Sequence, residues 1–198
     1  MTIRKALQSV LGAFLLYWCI AMPVHAIDRV EARGAVYDLS IRKWAELYTP
    51  EYPWYWNKAQ LKAESNFDTK AKSHVGAMGL GQFMPDTWAQ MERELDISGT
   101  PYNPSLNIQA HAHYMNKLRG QFKKPRPEYD KHSLALASYN AGLGNILKAQ
   151  QKAGNTLYWQ PTSSALCRVT GEHCKETNTY VSRIWQYIKE YEKRYDSK

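Results

Sequence analysis

The segment 61–88 constrains the fold more than any other part of the chain, because a helix-forming pattern stops and restarts within it. A helical run carries Glu64 near its end, and a polar loop with the small-residue run 76–81 follows. Glycines in such a run let the backbone come close to a ligand. Pro85 then suits the first position of a new helix, where its missing N–H would be unpaired anyway. The segment predicts a carboxylate at a helix end, facing a glycine-rich turn.

Glu64 is therefore a candidate general acid. A carboxyl group in an apolar recess keeps its proton near neutral pH, which general-acid catalysis requires. The Glu64-Ser65 pair alone does not identify such a site, since glutamates at helix ends usually face solvent. The motifs that accompany the pair decide between the two interpretations.

A set of motifs in a fixed order carries a family resemblance. Its parts are Glu64-Ser65-x-Phe67, Ser73, Gly76-Ala77-x-Gly79-Leu80-x-Gln82-x-Met84-Pro85, Asn103-Pro104-x-x-Asn107-Ile108 and Ser138-Tyr139-Asn140-Ala141-Gly142. The set resembles the soluble lytic transglycosylase family over about residues 40–190. The resemblance implies a lysozyme-like α fold that cleaves the glycan of the bacterial cell wall. Glu176-Thr177-x-x-Tyr180-Val181 also resembles a segment of the family. Three positions depart from the family pattern: Gly81, where Met is usual, His111, where Gly is usual, and Asn178, where Arg is common.

The resemblance implies a mechanism with a single carboxylate. Glu64 would protonate the bond between N-acetylmuramic acid and N-acetylglucosamine, and the same group would then act as base. The muramic 6-hydroxyl would attack its own anomeric carbon and give a 1,6-anhydro end, without consuming water. Substrate-binding roles fall to Ser73, Gln82, Met84, Tyr139, Asn140 and Tyr180. Ser73 would bond to Glu64 or to the substrate acetamido group, whereas core packing is the alternative for both tyrosines.

Two alternative functions remain open. A hydrolytic muramidase on the same fold would need a second carboxylate or a held water on the far face of the sugar. The acidic candidates are Asp68, in the polar loop, and Asp86, in the first turn of a helix, where an acid already interacts with the helix dipole. Neither looks placed as a partner acid. The other alternative is a non-catalytic, glycan-binding component of an envelope-spanning assembly, and the intact motif around Glu64 argues against it.

Residues 1–26 are typical of a secretory signal peptide. A positively charged start precedes an apolar run without acidic residues, and Val24-His25-Ala26 offers a cleavage site before Ile27. Cleavage would lower the formal net charge of +8 by two. A retained membrane anchor is the alternative, because the apolar run approaches the length of a spanning helix. The expected location is the periplasm.

The basic charge that remains suits an anionic partner such as nucleic acid, a membrane surface or cell wall. Export and the lack of a nucleic-acid motif argue against nucleic acid, and charge alone does not choose among the others, because a solvated basic surface is equally compatible with it. The family resemblance implies peptidoglycan glycan strands as the partner. A secretion, conjugation or phage assembly in the envelope is a further candidate. No cofactor is expected.

Cys167 and Cys174 predict a disulfide. Cys19 lies in the predicted signal peptide, so export leaves this pair in an oxidising compartment. Gly171 lets the short segment between them turn. A metal site would need more ligands than the two cysteines and His173, so no metal is expected.

Helical spacing of apolar residues recurs through most of the chain, whereas strand patterns are rare. We therefore expect a mainly α, single-domain, lysozyme-like fold with little or no β structure. The catalytic domain is expected to comprise residues 27–198. The stretch 153–175 is the exception, because its turn-rich composition and cysteine pair predict a disulfide-stapled excursion from the family pattern.

Overall fold

The computed structural model describes residues 24–196, and the regular secondary structure in this range is entirely helical. The predicted mainly α fold is confirmed. The helices of the described range are α1 (Val24–Ala35), α2 (Asp38–Tyr48), α3 (Trp54–Ser65), α4 (Pro85–Leu95), α5 (Pro104–Arg119), α6 (Glu128–Ala141), α7 (Leu143–Lys152), α8 (Trp159–Thr170) and α9 (His173–Tyr195). Two isolated β-bridges, Lys72 with Met78 and Met78 with Phe83, lie between α3 and α4.

The predicted signal peptide, 1–26, lies outside the described residues except for 24–26, which begin α1. Cleavage before Ile27 would remove the first residues of this helix. Across residues 24–196, no helix is long and apolar enough to cross a membrane.

Helix α3 occupies the centre of the molecule, because most of its residues are buried. Ala59 packs in a hydrophobic cluster formed mainly by α6 and α9, whereas Leu61 packs in a second cluster with Val30 of α1 and Ile41 of α2. Both side chains are fully buried. The last turn of α3, which carries Glu64, is therefore held from two sides.

Two buried lysines on α3 bind carboxylates of the N-terminal helices. Lys58 Nζ lies 2.6 Å from Asp38 Oδ1, and Lys62 Nζ lies 2.7 Å from Glu31 Oε1. A buried ammonium group needs such partners, because the transfer of an unpaired charge from water into the protein interior is very unfavourable. The pairs fasten α1 and α2 to the helix that carries Glu64.

Helix α3 ends in a left-handed turn. Asn66 and Phe67 have φ angles of +49° and +59°, and the Phe67 ring is buried against α1. A Cβ atom on Gly34 of α1 would lie only 2.4 Å from this ring. Glycine at position 34 therefore makes the space that Phe67 fills, and the turn directs the following loop across the end of α3.

The stretch 153–175 differs from the prediction, because α8 occupies much of it. Its buried residues recur at helical spacing, namely Trp159, Thr162, Ala165 and Leu166. Several of its hydroxyl groups donate back to carbonyls one turn earlier, as Ser164 Oγ does to Gln160 O at 3.0 Å. Serine and threonine are frequent in turns, but here the carbonyl groups of the helix accept the hydrogen bonds of their hydroxyls.

Candidate active site

The loop between α3 and α4 is held in shape by bonds within itself. The Ser73 N–H donates to the Ala77 carbonyl, and the Ala77 N–H donates to Ser73 Oγ, both at 2.9 Å. Met78 and Phe83 exchange two backbone bonds at 3.0 Å. Ser73 was predicted to bond to Glu64 or to the substrate acetamido group, and within residues 24–196 no hydrogen bond joins it to Glu64. Its hydroxyl proton is left to donate elsewhere.

Gln82 and Gly79 fix the backbone of this loop. Gln82 Nε2 donates to the carbonyls of Gly79 and Ala71, at 2.9 and 3.2 Å. Gly79 has a φ of +73°, and a Cβ there would lie 2.0 Å from the Pro101 carbonyl oxygen, so only glycine fits. The amide nitrogen of Gln82 therefore holds the backbone, while Gln82 Oε1 has no hydrogen-bond partner among residues 24–196.

The side chain of Asn107 on α5 binds the backbone of the same loop and of the loop before α5. Its side chain is fully buried; Oδ1 accepts from the Gly81 N–H and Nδ2 donates to the Pro101 carbonyl, both at 2.7 Å. Both halves of the amide are thus used on backbone groups. Sequence analysis included Asn107 in the family pattern but assigned it no role, because its spacing shows only that it lies near the start of a helix.

Tyr139 of α6 supports the loop from the other side. Its hydroxyl donates to the Gly81 carbonyl at 2.5 Å, and its ring packs against Tyr114 and Phe83. A Cβ on Gly81 would lie 3.1 Å from the Tyr139 hydroxyl oxygen. The departure from the family pattern at Gly81 is therefore matched by the close approach of Tyr139. His111, another departure from the family pattern, is buried beside the same tyrosine ring.

Glu64 belongs to a hydrogen-bond chain of three side chains. The Tyr180 hydroxyl of α9 donates to Glu64 Oε1 at 2.5 Å, and Gln60 Nε2 donates to the Tyr180 hydroxyl oxygen at 3.0 Å. Tyr180 is almost fully buried, and Gln60 fully so. Tyr180 was predicted to reach the cleft as a substrate-binding residue, and in the structure its hydroxyl binds the acid itself. Gln60 carries no motif, and sequence analysis did not identify it.

The surroundings of Glu64 suit an acid that must also work as a base. Burial raises the pKa of Glu64 to about 7, while the Tyr180 hydrogen bond and the positive charge of Arg183 act in the opposite direction. Burial and the charge of Glu64 raise the pKa values of Tyr180 and Tyr139 well above the usual range, so both hydroxyls stay protonated. Arg183, which also donates to the Ala63 carbonyl at 3.3 Å, was another residue that sequence analysis missed.

An open cavity of about 350 Å³ lies beside Asn140, the residue after Tyr139. Its wall is polar on α9, where Glu176 and Thr177 lie one turn before Tyr180, and Thr177 Oγ1 donates to Asn140 Oδ1 at 2.7 Å. The complete lining is Asn140, Ala141, Asn145, Val169, Thr170, His173, Glu176 and Thr177. The cavity therefore adjoins two segments that also carry the tyrosines near Glu64.

Met84, the last predicted substrate residue, immediately precedes α4 and has 42% of its surface exposed. A large apolar side chain so exposed at the end of the glycine-rich loop is available for contact with a ligand. Met84 thus lies on the loop that also carries Ser73 and Gln82.

Asp68 and Asp86 are both exposed. Asp68 Oδ1 accepts from the Lys70 N–H at 2.9 Å, and Asp86 lies in the first turn of α4. Among the described residues, neither carboxylate shares a hydrogen bond or an ion pair with Glu64.

The predicted disulfide between Cys167 and Cys174 is present and joins the end of α8 to the start of α9. His173, beside the bridge, belongs to the cavity wall. Within residues 24–196, no group of three or more histidine, cysteine or acidic side chains could hold a metal ion. The disulfide therefore fastens the corner that forms one side of the cavity.

Comparison with protein families matches residues 45–161 to the transglycosylase SLT domain. Among curated proteins, membrane-bound lytic murein transglycosylase F of Desulfosudis oleivorans is 35% identical over 104 residues, covering 52% of this chain and 22% of the relative. Membrane-bound lytic murein transglycosylase C of Haemophilus ducreyi is 28% identical over 169 residues, covering 79% of this chain and 46% of the relative. This chain thus spans less than half the length of either relative.

Among solved structures, an inactive Glu-to-Gln mutant of the lytic transglycosylase Slt from Pseudomonas aeruginosa superposes with a TM-score of 0.64 and 26% identity. The match covers 80% of this chain and 24% of that one. The 70 kDa soluble lytic transglycosylase of Escherichia coli gives a TM-score of 0.56 at 25% identity, covering 74% of this chain and 23% of that one.

Proposed function

The chain belongs to the transglycosylase SLT domain family, and we propose that it is a peptidoglycan lytic transglycosylase in which Glu64 is both acid and base. The observation that carries the proposal is the environment of Glu64, whose pKa is raised to about 7 at the end of a buried helix. A Glu-to-Gln mutant of the related Slt is described as inactive, which supports an essential glutamate in this proposal. Residues 27–198 would form the catalytic domain.

In the first step, Glu64 gives its proton to the oxygen that links N-acetylmuramic acid to N-acetylglucosamine, and the bond from that oxygen to the muramic C1 breaks. A pKa of about 7 leaves a large share of Glu64 protonated near neutral pH. The carboxylate that results accepts the Tyr180 hydrogen bond and is attracted by Arg183. These two groups stabilise the state that develops as the proton leaves.

In the second step, the Glu64 carboxylate takes the proton of the muramic 6-hydroxyl as its oxygen bonds to C1. Glu64 is then protonated again, and the product is a 1,6-anhydro end with no water consumed. The 6-hydroxyl is tethered to the reacting sugar, which gives it a high effective concentration. Asp68 and Asp86 are exposed and form no hydrogen bond or ion pair with Glu64 within residues 24–196, and we assign neither of them the role of a base for water.

We assign substrate binding to both sides of the acid. The loop between α3 and α4 offers the exposed Met84, the free hydroxyl proton of Ser73 and Gln82 Oε1. The 350 Å³ cavity beside Asn140 would accept a further part of the glycan strand or its peptide. Tyr139 would hold the loop in position rather than contact the acid, because its proton is used on the Gly81 carbonyl.

Export to the periplasm is part of the proposal, since peptidoglycan lies there in a Gram-negative envelope. Support comes from the pattern of residues 1–26 and from the Cys167–Cys174 disulfide, which forms in an oxidising compartment. Fractionation of cells that express the full chain tests this part, and recovery of the protein from the cytoplasm would contradict it.

Digestion of purified peptidoglycan, followed by mass analysis of the products, tests the activity. The parent protein should release fragments with anhydromuramic ends, and Glu64→Gln should release almost none while keeping the fold and glycan binding. Glu64→Gln that digests the wall at a rate near that of the parent would exclude Glu64 as the acid.

A further inference from the structure

Gln60 is a buried polar residue whose position packing alone does not explain. It lies on α3 one turn before Glu64, with no exposed surface, and its Oε1 is buried without a hydrogen-bond partner. An unpaired buried oxygen is unfavourable, and an apolar side chain of similar size would avoid it. Its other half makes one contact, the 3.0 Å bond from Nε2 to the Tyr180 hydroxyl. That bond is the feature that distinguishes Gln60 from an apolar residue.

The direction of the bonds along this chain follows from its chemistry. An ionised carboxylate has no proton to give, so the Tyr180 hydroxyl must donate to Glu64 Oε1. Tyrosine has only one hydroxyl proton, so the group of Gln60 that approaches Tyr180 must itself be a donor. The chain therefore runs from Gln60 to Tyr180 to Glu64.

We propose that Gln60 is a positioning residue that acts through Tyr180, committing the Tyr180 proton to Glu64 Oε1 and so leaving Oε2 as the oxygen that carries the catalytic proton. This inference rests on the proposed role of Glu64 as general acid. A proton on Oε1 would have to point at the Tyr180 oxygen, and the Tyr180 proton would then lack an acceptor, because Gln60 presents its NH₂ group. Oε2 has no hydrogen-bond partner among residues 24–196, so it is the oxygen free to meet a substrate.

Gln60→Met tests the proposal, because methionine has a similar length and volume but makes no such bond. We expect kcat on soluble glycan fragments to fall about 10-fold with KM nearly unchanged, since the loss affects proton transfer and not binding. Without the donor from Gln60, Tyr180 stabilises the carboxylate of Glu64 less, and the pKa of Glu64 rises further. Activity that requires protonated Glu64 is lost as pH rises through that pKa, so the basic limb of kcat/KM should move to higher pH.

Asn57→Leu is the matched control. Asn57 is a buried amide on the same helix, but its partners are Thr49 and Tyr52, at 3.0 and 3.3 Å, and not residues near Glu64. Removing it should lower stability and leave the pH profile of activity as in the parent. A purely structural role for Gln60 would make Gln60→Met behave in the same way, and that result would overturn the proposal.

A double-mutant cycle with Tyr180→Phe tests the path of the effect. If Gln60 acts through Tyr180, then adding Gln60→Met to Tyr180→Phe should lower kcat by less than 2-fold, roughly within the error of additivity. Full multiplication of the two losses would show that Gln60 acts by another route.

Gln60→Glu supplies a second, nearly isosteric variant if Gln60→Met does not fold. A glutamate accepts where Gln60 donates, which draws the Tyr180 proton away from Glu64, so kcat should fall more than in Gln60→Met. Parent-like activity of this variant would contradict the proposal. Such a result, with Glu64→Gln still inactive, would leave the proposed function intact, whereas active Glu64→Gln would remove both.

Discussion

Asn107→Leu should destabilise the domain and disorder the glycine-rich loop. Leucine matches the shape of asparagine but makes no hydrogen bonds, so the Gly81 N–H and the Pro101 carbonyl, each bonded at 2.7 Å, would lose their partners. Asn107 is fully buried, and water does not replace it readily. At about 1–2 kcal/mol for each orphaned group, the free energy of unfolding should fall by about 2–4 kcal/mol. For a domain of this size the melting temperature should fall by about 5–15 °C.

Urea unfolding followed by circular dichroism measures this loss, and release of soluble fragments from peptidoglycan measures the effect on the loop. Asn103→Ala is the control, because the Asn103 side chain caps the same helix by accepting from the Ser105 and Leu106 N–H groups but does not bind Gly81 or Pro101. It should cost about 1 kcal/mol and leave kcat unchanged. If the free energy of unfolding of Asn107→Leu falls by less than about 0.5 kcal/mol, Asn107 does not hold the loop. A parent-like kcat of this variant below its melting temperature would contradict the reasoning in the same way.

Three further predictions follow from other contacts. Gly34→Ala should lower the free energy of unfolding by about 1–2 kcal/mol despite the better helix propensity of alanine, since its Cβ would lie 2.4 Å from the Phe67 ring; a stabilised variant in urea unfolding would contradict this. Replacing Cys167 and Cys174 by serine should cost about 2–3 kcal/mol while the domain still folds, and equal melting temperatures with and without reductant would show that the bridge contributes nothing. Burial raises the folded-state pKa of Glu64 to about 7, above its unfolded value, so ionisation of Glu64 lowers the free energy of unfolding by an amount that is absent below pH 4 and grows as pH rises to 7. Glu64→Gln should therefore equal the parent in stability at pH 4 and exceed it by about 1–3 kcal/mol at pH 8. A stability difference that stays constant across that range would exclude the raised pKa.

The sequence predicted the parts of the site that local pattern controls. Pro85 begins α4 as expected, and the helix that carries Glu64 ends at Ser65, because proline and left-handed turns act on their immediate neighbours. Resemblance predicted that Tyr180 reaches the cleft, but its 2.5 Å bond to Glu64 is a contact that the sequence did not predict. The Cys167–Cys174 pair was also predicted correctly, since its short spacing leaves little freedom.

The roles of Gln60 and Asn107 could not be predicted, because each depends on residues distant along the chain. Gln60 bonds to Tyr180 across 120 positions, and Asn107 reaches back 26 positions to Gly81. In the local sequence, each of them looks like an ordinary polar residue on the surface of a helix. Helix α8 was missed for a different reason: its serines and threonines resemble a turn, while the few buried positions such as Leu166 determine the helix.

Digestion of purified peptidoglycan in water enriched in heavy oxygen tests the single-carboxylate mechanism most directly. If Glu64 activates the muramic 6-hydroxyl, the new muramic ends should be anhydro ends that are one water lighter than hydrolytic ends and carry no label. Asp68→Asn and Asp86→Asn should give the same unlabelled products at a rate close to that of the parent. Incorporation of heavy oxygen at the new muramic ends would show that water attacks C1, and the mechanism would then be wrong even if Glu64 proved essential.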